Sequence, residues 1–436
     1  MMANDHTRKR QAPVFASACP DYRPETVKKA FDALLEEQDL LAAVKPGMKV
    51  AVKVNLVSAK APEAAATTHP ELVCELCRRL AARGAFVTVG DSPGGLFTEE
   101  VLEHVYRASG MTRVEETGAK LNFDVSTEDV NFDKAVSAHV FTCTAWLKSA
   151  DLIINFAKLK THGMMRLTAS VKNMFGAVPG TTKPEYHMRF PEESAFAGML
   201  IDLNEYFRPA LNIVDAVTGM EGNGPTAGTP RNVGLLLASE SPYDLDMVCA
   251  DTIGLRVQDV PTLSCAARRG LGPADVTEVR ILGTDTKAYR VPDFREAAGR
   301  SMMFFGGSPL GRLTGSVLVK ALQQVPKVAP SECISCGKCF RVCPAHAITM
   351  RGAKAAGAAN AAGRQTPGRQ TPGEKAAGKD AAGWKTSGRQ IPGTGGVPHI
   401  DRNKCIRCFC CQEFCPVGAM KVHRTAIARL LQRKEE

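Results

Sequence analysis

The sequence predicts a two-part molecule: an α/β body with a mostly parallel sheet and helices on both faces, followed by a small α+β module built on cysteines. Three observations predict it. Short apolar, β-branched runs alternate with helical patterns from residue 48 to about 285. Nine of the fifteen cysteines crowd into two short C-terminal segments. Between those segments lies a stretch whose composition suits neither part.

In the body, residues 50–57, 86–89, 152–156, 211–214, 233–238 and 279–282 read as buried strands, and 71–83, 99–108 and 245–255 as helices between or after them. Residues 1–44 are expected to be an N-terminal segment with a lead-in helix, 45–295 the α/β domain and 296–330 a linker or helix. Open α/β sheets collect their ligands at the carboxyl ends of the strands, and three polar stretches fall there.

The first, Gly90-Asp91-Ser92-Pro93-Gly94-Gly95, follows a strand and precedes a helix, where backbone amides can hold an anion. Gly90, Gly94 and Gly95 are therefore candidate cofactor-binding positions, although the run is neither G-x-G-x-x-G nor a Walker motif. The second, Lys158-Leu159-Lys160-Thr161-His162-Gly163, continues through Lys172 and Asn173 to Pro179-Gly180. Lysine is rarely buried without a partner. These cations either meet Asp91 and Asp215 in a structural network, or they bind an anionic substrate and tune proton transfer. The second branch makes Lys158, Lys160, His162, Lys172 and Asp91 the candidate catalytic residues and adds Asn173 to the cofactor-binding set. In the third stretch, Asp215 to Gly224, two carboxylates in a glycine-rich loop suit a hard cation or, more simply, a turn. Asn55 and His69 are lesser candidates.

The cysteine segments are Cys333-Ile-Ser-Cys336-Gly-Lys-Cys339-Phe-Arg-Val-Cys343-Pro344 and Cys405-Ile-Arg-Cys408-Phe-Cys-Cys411-Gln-Glu-Phe-Cys415-Pro416. Both obey C-x2-C-x2-C-x3-C-P. Three thiolates on one tight loop cap three irons of a cubane, and the fourth cysteine turns toward the other cluster. This pattern assigns one [4Fe-4S] cluster to Cys333, Cys336, Cys339 and Cys415, and a second to Cys405, Cys408, Cys411 and Cys343. A pair of zinc sites would need only four ligands each, with no use for a third cysteine at the same pitch. Ile348, Met350, Ala419, Met420 and Val422 supply an apolar shell, and Cys410 reads as a small packing residue. Residues 331–350 and 398–425 thus read as a bacterial-ferredoxin-like module.

Residues 351–397, rich in Ala, Gly, Pro, Lys and Arg, interrupt it. Arg-Gln-Thr-Pro-Gly occupies 364–368 and 369–373, and Arg-Gln-Ile-Pro-Gly occupies 389–393. Such a segment cannot bury enough apolar surface to offset its ordering entropy, so a disordered insert is expected. The formal charge of +10 sits in this insert (+6) and in residues 401–436 (+4), the last of which, 426–436, form a basic tail. The body sums to zero, which argues against nucleic-acid binding. No run approaches 18 uncharged apolar residues, and the basic N-terminus does not read as a secretory signal. A reducing, cytoplasmic setting away from membranes is expected.

The chain also resembles the domain of unknown function 362 family. The resemblance rests on Val52-Lys53-Val54-Asn55, Gly90-Asp91-Ser92-Pro93-Gly94, Lys158 to His162, Val171-Lys172-Asn173-Met174-Phe175-Gly176, Asp215 to Gly228 and Ser241-Pro242-Tyr243-Asp244-Leu245-Asp246. It covers about residues 45–290 and implies the same double-cubane module, which members often carry. Two features depart from it. Ser241 stands where an Asp is usual, leaving Asp246 as the matching acid, and the long insert is atypical.

Together these readings predict an iron-sulfur oxidoreductase that passes electrons between a soluble carrier, such as a ferredoxin or flavodoxin, and a small anionic substrate. In that scheme Asp91 or His162 moves the proton. Two other classes fit the sequence as well: an electron-transfer adaptor of a larger redox complex, and a non-redox or metal-dependent enzyme with structural clusters.

Overall fold

A computed structural model describes residues 12–36, 39–297, 325–351, 396–406 and 408–423. The expected basic tail lies outside the described residues, as do nearly all of the linker and of the insert.

In chain order the body supplies β1 (Val14–Ala18), β2 (Lys49–Lys53), β3 (Phe86–Gly90), β4 (Lys120–Leu121), β5 (Thr127–Asn131), β6 (Val140–Thr144), β7 (Leu152–His162), β8 (Arg166–Thr168), β9 (Leu211–Glu221), β10 (Thr229–Ser239) and β11 (Ile281–Gly283). β5 and β6 pair separately. The rest form one nine-stranded sheet ordered β11-β1-β10-β9-β7-β2-β3-β4, with β8 folded back on β7. The pairs β1–β11, β2–β3, β2–β7, β3–β4 and β7–β9 are parallel. Only β1–β10, β9–β10 and β7–β8 are antiparallel, so the mostly parallel sheet is borne out.

The helices form where local chemistry allows. Pro70–Ala82 begins with proline, whose missing amide costs nothing at that position, and the His69 side chain accepts from the Glu71 amide at 3.3 Å. Its Leu72, Leu76 and Leu80, with Phe31, Leu102 and Tyr106 from neighbouring helices, cover one face of the sheet over Val50, Val52 and Ile154. On the other face Leu245, Val248 and Leu263 pack against Leu159, Leu235 and Leu237. Pro242–Thr252 is capped by Ser241, whose Oγ accepts from the Asp244 amide at 3.2 Å. Ser241 therefore serves as a helix cap where the family usually shows an acid.

Several strands differ from expectation; β9, for one, runs eleven residues to Glu221 rather than stopping at Val214. β7 runs eleven residues rather than five, because Lys158, Lys160 and His162 are buried with partners instead of ending the strand. β2 stops at Lys53 rather than 57, because the next residues peel away: the Asn55 amide donates to Thr68 Oγ1, and Leu56 bridges Thr67. Val14–Ala18, upstream of the expected boundary at 45, joins the sheet between β10 and β11.

In the cysteine module, β12 (Val325–Val328) pairs antiparallel with β15 (Met420–His423), and β13 (Ile348–Arg351) pairs with β14 (Val397–Ile400). Each pair joins one cysteine segment to the other, the pseudo-twofold arrangement that the repeat implies. Arg351 stands opposite Val397, so the two ends of the insert are held side by side.

Candidate functional site

Strand order places the polar stretches at one edge of the body. β2, β3 and β7 are parallel neighbours, and Lys53 closes β2, Asp91 follows β3, and Lys160 lies near the end of β7. With the short helix Ser170–Asn173 they frame an open hollow of about 490 Å³. Lys53, Lys160, Lys172 and Lys183 supply its cations, Asp91 its one carboxylate, and Asn55, Asn173, Ser92 and Thr168 its neutral polar groups. Among the described residues, the buried Thr168 hydroxyl finds no hydrogen-bond partner.

The floor of the hollow is a fixed network. Lys53 Nζ lies 2.8 Å from Asp91 Oδ1 and donates to Asn173 Oδ1 at 2.9 Å and to the Val54 carbonyl at 2.8 Å. Asp91 also accepts from the Leu56 amide at 2.6 Å and the Ser92 amide at 2.8 Å. Lys160 Nζ donates to Asn55 Oδ1 at 2.9 Å and to the Ala66 carbonyl at 2.8 Å. Asn173 ties these together, accepting from Asn55 Nδ2 at 2.9 Å and donating to Asn155 Oδ1 at 2.8 Å. Burial pulls the Lys53 ammonium below the usual lysine range, and the Asp91 carboxylate pulls back. Gly176 has no side chain because a Cβ there would strike Asp91 Oδ1 and Lys53 Nζ.

The expected catalytic set is therefore divided. Lys160, Lys172 and Asp91 meet at the hollow; Lys158 and His162 are not among its lining residues. Lys158 Nζ pairs with Asp215 Oδ2 at 2.8 Å and donates to Tyr22 Oη at 2.8 Å, and Tyr22 donates to Asp215 Oδ1 at 3.0 Å. This is the structural network considered for the cations, realised at Lys158. His162 Nδ1 accepts from the Met164 and Met165 amides, each at 3.0 Å, and so holds the turn between β7 and β8. Asp215 and Glu221 are likewise spent internally, Glu221 on Arg295, and both lie on β9, so the loop or turn expected there is instead a strand. His69 stacks on Tyr22 at 3.6 Å, and burial depresses its pKa to about 4.

The anion cradle expected at Gly90, Gly94 and Gly95 needs correction. The Ser92 amide is taken by Asp91 and the Gly94 amide by the Val57 carbonyl at 3.1 Å. A Cβ on Gly90 would meet Asn122 at 2.7 Å, so this glycine permits close packing. At Gly94 a Cβ would lie 1.8 Å from the ring of Phe414. Gly95 adopts φ +106°, a turn conformation that favours glycine.

Phe414 comes from the cysteine module, one residue before Cys415, and its ring lines the lysine hollow. Other contacts along the same seam are Gln412 Nε2 to the Asn223 carbonyl at 3.4 Å and Lys60 Nζ to the Pro416 carbonyl at 3.2 Å. Within the module, Cys333, Cys336, Cys339 and Cys415 line one hollow of about 330 Å³. Burial raises the Cys339 thiol to about 11, with Cys336, Cys415 and Cys333 adding to the rise. Cys411 is raised by burial and then by Cys408, Cys405, Cys339 and Cys343. Amides point at the ligand sulfurs: Ser335 N to Cys333 Sγ at 3.4 Å, Ala347 N to Cys343 Sγ at 3.3 Å and Ala419 N to Cys415 Sγ at 3.1 Å. Among the described residues, no three His, Cys, Asp or Glu side chains converge as ligands of a single metal ion. Nor is any described helix long and apolar enough to cross a membrane.

Fold and site define the class: an iron-sulfur protein in which a 4Fe-4S dicluster domain, matched over residues 332–419, is joined to an α/β body. Residues 50–251 match the Domain of unknown function (DUF362), and the chain belongs to that family. The thylakoid-associated protein sll1697 of Synechocystis sp. (strain ATCC 27184 / PCC 6803 / Kazusa) is 33% identical over 236 residues, spanning 53% of this chain and 70% of the relative. Among solved structures, the lactate racemase apoprotein from Thermoanaerobacterium thermosaccharolyticum is similar at a TM-score of 0.33 and 13% identity, over 53% of this chain and 54% of that one.

Sequence reasoning missed Lys53, Lys183, Thr168 and Phe414 as members of the site. Lys53 had a signal, a lysine inside an otherwise apolar strand run. Phe414 had none, since its place depends on how two distant segments dock.

Proposed function

We propose that the chain is an iron-sulfur oxidoreductase with two [4Fe-4S] clusters and a small anionic substrate bound in the lysine hollow. One cluster is assigned to Cys333, Cys336, Cys339 and Cys415, the other to Cys405, Cys408, Cys411 and Cys343. When bound, the clusters supply one-electron transfer between that substrate and a soluble carrier such as a ferredoxin or flavodoxin. The observation that carries the reading is Phe414: the residue before a cluster cysteine is also a wall of the cation site. Cys333, Cys336, Cys339 and Cys415 support a polynuclear group because they line a common hollow.

Lys160 and Lys172 balance the charge of the substrate, and the Thr168 hydroxyl offers it a hydrogen bond. Lys53, drawn below the usual lysine range, is the readiest proton donor, and Asp91 fixes its position. A reducing cytoplasm is the proposed setting, since it keeps the fifteen cysteines as thiols.

Anaerobic purification with iron and sulfide analysis, followed by EPR of the dithionite-reduced protein, tests the electron half. About eight irons per chain and two interacting reduced cubanes are expected. One or two zinc ions without a reducible signal would end the proposal. The substrate half is tested by screening small carboxylates and oxyanions by calorimetry. A Lys160→Ala, Lys172→Ala variant should keep its iron yet lose affinity about tenfold or more for any ligand found.

A further inference from the structure

The cysteine module has two unlike sides. Its inner side, through Phe409, Gln412 and Phe414, rests on the body. The hollow lined by Cys333, Cys336, Cys339 and Cys415 is also lined by two exposed aliphatic residues, Ile334 at 57% exposure and Val417 at 42%. Lys338 lines the same hollow and is exposed. Arg341, also exposed, is pinned to the loop by a hydrogen bond from Nη2 to the Cys336 carbonyl at 3.1 Å. The nearby Glu332 is neutralised by Lys421 at 2.8 Å. Residues 325–351 and 396–423 together hold eight Lys or Arg against three Asp or Glu.

An apolar centre over redox ligands with a basic rim is what a brief electron-transfer encounter needs. The apolar residues exclude water over a small contact, and the charges raise the encounter rate. We propose that this exposed rim docks a small acidic soluble electron-carrier protein over Ile334 and Val417, with Lys338 and Arg341 as the charged contacts. The inference rests on the electron-transfer reading above. It adds the surface, the chemistry of the partner and the side by which electrons enter or leave.

The test uses the iron-loaded full chain and an acidic [2Fe-2S] ferredoxin as probe. Electron exchange is followed anaerobically by stopped flow, in whichever direction the two potentials allow. The second-order rate should fall steeply between low and physiological salt. A Lys338→Glu, Arg341→Glu variant should lose at least about tenfold at low salt, while its EPR spectrum and its reduction by dithionite stay unchanged. A Lys148→Glu variant on the body should retain the full rate.

Equal losses in both variants would mean attraction by overall charge and would overturn the assigned face. So would a charge-reversed variant that keeps the full rate, or a native chain that exchanges no electrons with the probe. A chain that dithionite cannot reduce would instead bring down the oxidoreductase reading itself.

Discussion

The body and the cysteine module place their charges in opposite ways. The body is close to neutral and buries three of its lysines: Lys53, Lys158 and Lys160 are each at most 1% exposed, and each has a named partner. The module is basic and turns Lys338 and Arg341 outward while drawing its thiols into an apolar shell of Ile348 and Met420. The first arrangement fixes charge in the interior, at a desolvation cost that each partner offsets. The second leaves charge hydrated, suited to attraction at a distance.

The sharpest way to break this comparison is to remove one lysine from each part. Lys53→Met strands the Asp91 carboxylate in the interior and should cost about 3–5 kcal/mol in urea unfolding of the iron-loaded chain. Lys338→Met should leave the unfolding midpoint unchanged. Equal effects would mean that the hollow is wetter than its geometry implies.

A smaller effect tests the seam between the two parts. Gly94→Leu sets a side chain where the Phe414 ring lies and should cost about 1–3 kcal/mol. Hydrogen exchange at amides 409–418 should quicken, and adding Phe414→Ala should restore much of the protection. Unchanged exchange in Gly94→Leu would show that the module does not lean on this glycine.

The smallest effect concerns pH. His69 has its pKa lowered to about 4, chiefly by burial, so the unfolded chain binds a proton that the folded chain refuses between about pH 6.5 and 4. Stability therefore falls as pH falls through that window. His69→Asn, which keeps an acceptor for the Glu71 amide, should flatten that part of the stability curve. A variant whose curve falls as steeply as that of the native chain would rule His69 out as the cause.

The two parts also differ in how far the sequence discloses them. The module is nearly transparent, because iron-sulfur chemistry imposes a spacing and Cys333 to Cys343 repeats it at Cys405 to Cys415. In the body, helices such as Pro70–Ala82 and Glu99–Ala108 agree with their apolar periodicity within a residue. β7 was cut short because a lysine in a strand ordinarily marks its exposed end, whereas here Asp215 and Asn55 accept the charges inside. Asp91 was legible from its place after a strand; that it pairs with Lys53 depends on β2 and β3 lying side by side, which no local pattern states. Gly94 was read as a ligand cradle, and the ring it accommodates lies 320 residues further along the chain.

The pairing of Arg351 with Val397 has a consequence for the history of the gene. Because the hairpin already fixes both ends, doubling or halving the intervening length changes the closure entropy by only about 0.6 kcal/mol. Copies of the Arg-Gln-Thr-Pro-Gly unit can be gained or lost by replication slippage at almost no cost to folding. The same position is expected to accept a fluorescent reporter, and unchanged iron content of such a fusion would check it.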